Sequence, residues 1–156
     1  MCDYSLMGVP NRLANEGEDL VVHRFRTGSI GLISDHDLAE VKAAGVWATL
    51  KGLFHSSGPT QATAVCIAPG ARLLLRDIPE ELQRSIKIGG SEEVVFTQLT
   101  AEVNTYRDAV RFGNGAELLL QRLREGQRVK VLRMSLSPES AGTGESGFAN
   151  TPLATL

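Results

Sequence analysis

The sequence predicts an α+β fold, mainly an antiparallel β barrel or sandwich, with one amphipathic helical element and a flexible C-terminal tail. Three observations carry that expectation. About seven or eight short apolar runs recur along the chain, with turn signals at Pro69-Gly70, Asn114-Gly115 and Glu125-Gly126, the rhythm of strands and turns. One span, from Ser34 to Phe54, breaks the rhythm with apolar residues at helical spacing. The stretch from Ser137 to the end, SPESAGTGESGFANTPLATL, offers only Phe148, Leu153 and Leu156 as large apolar side chains, too few to offset the entropy of ordering it.

In chain order, Asp19–Phe25 and Ile30–Ile33 read as strands. Ser34 followed by Asp37 marks a helix start, and Leu38, Val46, Leu50, Leu53 and Phe54, with Trp47 at the margin, then fall on one broad side of a helix from about Asp35 to Phe54. Gly45 and Gly52 each cost about 1 kcal/mol relative to alanine, which leaves room for two shorter helices broken near Gly45. Ala62–Ile67 and Ala71–Leu75 are strands on either side of Pro69-Gly70. Ile78–Gln83 carries proline at a first helical position followed by acids, which suit the positive end of a short helix. Glu93–Leu99 is a further strand. Asn114-Gly115 and Glu125-Gly126 then divide 106–112, 116–123 and 127–134 into an antiparallel meander.

The 156 residues and 16.8 kDa, 42% hydrophobic and 22% charged, fit a single globular domain over 1–136 with the tail at 137–156. A formal charge of −2 excludes a globally basic protein, so nucleic acid is a disfavoured partner. No stretch approaches the roughly 20 apolar residues of a membrane span, and the N-terminus lacks a basic start followed by an apolar run. Two cysteines do not make a disulfide scaffold, so the expectation is a cytoplasmic protein in a reducing compartment. The opening MCDYSL, the segment AVCIAPG (64–70) and the run from Tyr106 to Val129 together resemble a group of small bacterial proteins of unknown function. That resemblance implies a bacterial source and no activity.

Chemistry is sparse. Removal of Met1 would leave Cys2 with a thiol and a free α-amine, the apparatus of an N-terminal nucleophile, and His23 is the candidate base. The competing reading makes Cys2 a small packing residue. Cys2, His23, His36, His55 and Cys66 show none of the close spacings that metal sites use, so no metal ligands are assigned and the cofactor is unknown. Gly142-Thr143-Gly144-Glu145-Ser146-Gly147 matches a dinucleotide fingerprint but lacks the strand and helix that would make it one. Across the expected meander, Arg107, Arg111, Arg122, Arg124, Arg128, Lys130 and Arg133 stand against Asp108, Glu117 and Glu125, a local +4 from 7 − 3. Strand pairing would gather several of these arginines on one solvent face, a candidate anion or RNA surface, but a solvated strand face with cross-strand ion pairs is the favoured reading. The functional expectation is a non-catalytic binding or assembly protein that forms a homo-oligomer or takes a protein partner, with Trp47, Leu50, Phe54, Arg107, Arg111 and Arg122 as binding residues. The alternative is a small enzyme using Cys2 as nucleophile or thiolate metal ligand.

Overall fold

Val21, Ile33 and Ala109 are buried although they point away from the main core, so parts of this sheet are covered on both faces. The computed structural model describes residues 6–50, 62–100, 102 and 105–134, with side chains of the first helix described to residue 43. The tail at 137–156 lies outside the described residues.

Among the described residues nine strands and two α-helices follow in the order β1 (Asn11–Leu13), β2 (Asp19–Arg24), β3 (Ile30–Ser34), α1 (Asp35–Leu50), β4 (Ala64–Cys66), β5 (Arg72–Leu75), α2 (Glu80–Ile86), β6 (Glu92–Gln98), β7 (Asp108–Phe112), β8 (Glu117–Leu119) and β9 (Arg128–Arg133). Seven of them form one antiparallel sheet in the order β3-β2-β9-β5-β6-β7-β8, and β1 pairs with β4 in a small parallel sheet. The α+β class with a mainly antiparallel sheet is as expected, and the large sheet is not closed by strand pairing. Its edges nevertheless come together. Between β8 and β9 a single 3₁₀ turn, Leu120–Arg122, turns toward β3, and the Gln121 side chain accepts from Ile30 N at 3.0 Å and donates to Ile30 O at 2.7 Å. One amide side chain thus bonds the β3 edge as a strand would.

The period-2 pattern of the strands builds the core. Leu20 and Val22 of β2, Leu73 and Leu75 of β5, Val94 and Phe96 of β6, Val110 and Phe112 of β7, and Val129 and Val131 of β9 meet on the inner face. Leu82 and Ile86 of α2 pack against them. The N-terminal segment and α1 cover the opposite face of β2 and β3, where Leu6, Val9, Val21, Phe25, Ile33 and Ala64 form a second cluster lined by Leu38 and Val41. Glu40, Lys42 and Ala43 of α1 face solvent, which makes this part of the helix amphipathic.

The expected meander needs correction. The Asn114-Gly115 turn does join β7 to β8, with Gly115 at φ +86. Beyond β8 the chain leaves the sheet edge, because Leu120 and Leu123, three apart, are both buried, which a helical turn allows and an alternating strand does not. The Glu125-Gly126 turn then docks on β2 through Gly126 N to Val22 O at 2.8 Å, and β9 enters the middle of the sheet between β2 and β5. The helix α1 runs through Gly45 without a break, and residues 51–61 lie outside the described residues. Pro79 sits one position before α2 rather than inside it.

Candidate functional site

The outer face of β9, β5, β6 and β7 carries alternating charges because its inner partners are apolar. Cross-strand register sets Arg133 opposite Arg72, Arg72 opposite Val95, Val95 opposite Arg111 and Arg111 opposite Glu117. A neighbouring row runs from Asp19 through Lys130 and Leu74 to Glu93. Opposite charges close most of these positions: Arg72 to Glu93 at 2.9 Å, Arg111 to Glu117 at 2.7 Å and Lys130 to Asp19 at 3.4 Å. Arg128 bonds Asp77 at 2.7 Å, which holds that exposed carboxyl below its ordinary range. Each exposed pair contributes little by itself, so the face is better described as a surface of interspersed sign than as a cationic patch.

Just past the ends of β6 and β7 two large apolar side chains are exposed. Leu99 is 44% exposed and Tyr106 is 51% exposed. Leu99 N bonds Arg107 O at 2.9 Å, which sets Leu99 opposite Arg107 and leaves Tyr106 one position out of step, at the same end of the hairpin but toward the other face of the sheet. Nearby, the buried Asp108 carboxylate accepts from Gln98 Nε2 at 2.9 Å and ties the base of the hairpin together.

The sequence-predicted residues do not converge on one site. Arg111 lies on the outer face within its ion pair, Arg107 is half-buried at the hairpin end, and Arg122 is exposed in the 3₁₀ turn. The meander that was to gather them does not form, because β9 is separated from β8 by three strands. Trp47 and Leu50 belong to the backbone of α1, but their side chains, like Cys2 and Phe54, lie outside the described residues. His23 is half-buried on β2 with its ring edge-on to Phe25, centroids 5.0 Å apart. Burial is the main cause that lowers its pKa from 6.5; Glu125 opposes the shift and Lys42 adds to it. Among the described residues no group of three His, Cys, Asp or Glu could hold a metal ion. Likewise, no described helix is long and apolar enough to cross a membrane.

Cys66 is buried on β4 and is disulfide-bonded. The expectation of a reducing compartment rested on the cysteine count, and with Cys66 bonded that count no longer argues for it. Leu99 and Tyr106 were missed as site residues because their apolar character reads as core in a sequence; their place at the end of two strands, beside the loop, is the available signal. Comparisons with protein-family models, with curated proteins and with solved structures found no match.

Proposed function

We propose that this is a non-catalytic assembly protein that binds a second copy of itself through the end of the β6–β7 hairpin and the adjoining outer face of the sheet. The observation that carries the reading is the joint exposure of Leu99 and Tyr106 beside Arg107. Tyrosine and arginine are over-represented among the residues that dominate protein interfaces, and covering large side chains otherwise left in water removes apolar area from solvent. The adjoining rows supply the second requirement. An isologous interface presents the same patch twice, so a face carrying both signs, as Arg72, Glu93, Arg111 and Glu117 do, can set positive against negative across a two-fold axis. Sedimentation velocity over a concentration series tests this. The unaltered protein is expected to associate, and Leu99→Ser/Tyr106→Ser to sediment as a monomer of unchanged fold. A wild-type protein still monomeric at about 1 mM, where any association would be weaker than about 4 kcal/mol, overturns the proposal.

A further inference from the structure

The buried sulfur of Cys66 has a bonding partner, and the sequence contains one other cysteine, Cys2. We infer that Cys2 and Cys66 form an intramolecular disulfide that latches the N-terminal segment across the outer face of β2 and β3. The position of that segment supports the pairing. Leu6 and Val9 are buried in the cluster that also holds Ala64, two residues before Cys66. Ala64 N bonds Pro10 O at 2.7 Å, and β1 runs parallel to β4 with Leu13 opposite Cys66. Four residues of chain from Leu6 to Cys2 can span up to about 14 Å, enough for the start of the chain to return toward β4. A disulfide then requires the two Cα atoms to lie within roughly 4.4–6.8 Å.

What the latch holds down is apolar. Gly31 has no side chain because Leu6 and Phe25 fill the space: a Cβ there would meet Leu6 Cδ1 and Phe25 Cε2 at 3.0 Å each. Around it, Val21 and Ile33 are almost fully covered, Ile33 at 0% exposure. Without the covalent tie, Leu6 and Val9 are held over this face by packing and by the three-residue β1–β4 ladder. The bond is a reversible one. A small dithiol attacks one sulfur of the pair, forms a mixed disulfide and displaces the other cysteine as thiolate. The dithiol's second sulfur then displaces the remaining cysteine, so two protein thiols form as the dithiol becomes a cyclic disulfide. Reduction by a dithiol is thus the signal that loosens the N-terminal cover.

The test combines thiol counting with backbone hydrogen exchange on the full chain. In protein kept oxidised and then denatured with an alkylating agent, no cysteine should be labelled; after treatment with dithiothreitol, both should be. Cys2→Ser should leave Cys66 as one labelled thiol, and exchange in residues 6–13 and 30–34 should rise about tenfold or more in that variant while β5–β7 remain protected. Cys66→Ser should reproduce the same pattern, separating loss of the bond from loss of one particular side chain. Two labelled thiols in the oxidised protein, a disulfide-linked dimer on a non-reducing gel, or unchanged exchange in the variants would each overturn the latch. The inference does not depend on self-association, since β9 and β5 lie between the latched strands β2 and β3 and the β6–β7 hairpin.

Discussion

His23 shows how one side chain can couple this sheet to pH. It lies on β2 next to Phe25, on the face that the N-terminal segment and α1 cover, and it is half-buried there. Partial loss of water disfavours the imidazolium, and the ring's pKa falls below 6.5. The unfolded chain therefore binds more protons than the folded one in the window between the lowered folded value and the ordinary one. Stability is fully present above the ordinary value and is lost as pH falls from about 6.5 through the folded pKa, below which this contribution is flat. Proton NMR should place the His23 titration midpoint below 6.5. In denaturant titrations, His23→Gln should show a shallower fall in stability across the same window than the unaltered protein, and an identical fall would remove His23 as the cause. A neutral His23 also fits the role of base in the enzyme alternative, but the ring packs against Phe25 and not against a described nucleophile.

The short helix α2 illustrates what an element gains and loses at its ends. Glu80 and Glu81 occupy its first turn and Arg84 its last, each matched to the helix dipole. Its C-terminus ends at Lys87, whose φ of 57 and ψ of 58 lie in the left-handed region where a Cβ is strained. Glycine is the residue that suits this position. Lys87→Gly should stabilise the protein by about 1 kcal/mol, read as a rise of about 3 °C in thermal midpoint, and a drop would show that the lysine side chain contributes more than its backbone costs. Elements of this kind were legible in the sequence because their signals are local: Pro79 with its acids, Asn114-Gly115, the alternation in β2 and β9, and the acids that open α1. The neighbours of β9 were not legible. Alternation says which side chains face inward, yet Val129 and Val131 would alternate identically beside β8 or between β2 and β5. The parallel β1–β4 pair is only three residues deep and leaves no periodicity to read. Nor could the bond at Cys66 be read, since a pair of cysteines is no disulfide framework and carries no spacing signal. The hairpin end was hidden for the opposite reason, because Leu99 and Tyr106 resemble the residues that elsewhere build the core.

At the scale of the whole molecule, the unsolved problem of an open sheet is its edges. Those of β3 and β8 would each present unpaired backbone groups to water or to another chain. Here the turn after β8 brings Gln121 to the free edge of β3, where its amide makes both hydrogen bonds to Ile30 that a neighbouring strand would make. The same turn buries Leu120 and Leu123 in the main core, so the closure is apolar underneath and polar at the rim. The side chain is therefore a tie between the first and last parts of the large sheet, residues 91 apart in sequence. Gln121→Ala removes both bonds and leaves the Ile30 N–H and C=O without these partners in a partly buried place, at a cost of roughly 1–3 kcal/mol. Equilibrium denaturation should show that loss, with the Ile30 amide exchanging much faster than in the unaltered protein while amides in the centre of β5 follow only the change in global stability. Gln121→Glu separates the two bonds, because a carboxylate still accepts from Ile30 N but cannot donate to Ile30 O. It should keep protection of the Ile30 amide and recover only part of the stability. If both variants leave Ile30 exchange unchanged, the buried leucines alone close the sheet and the glutamine tie is incidental.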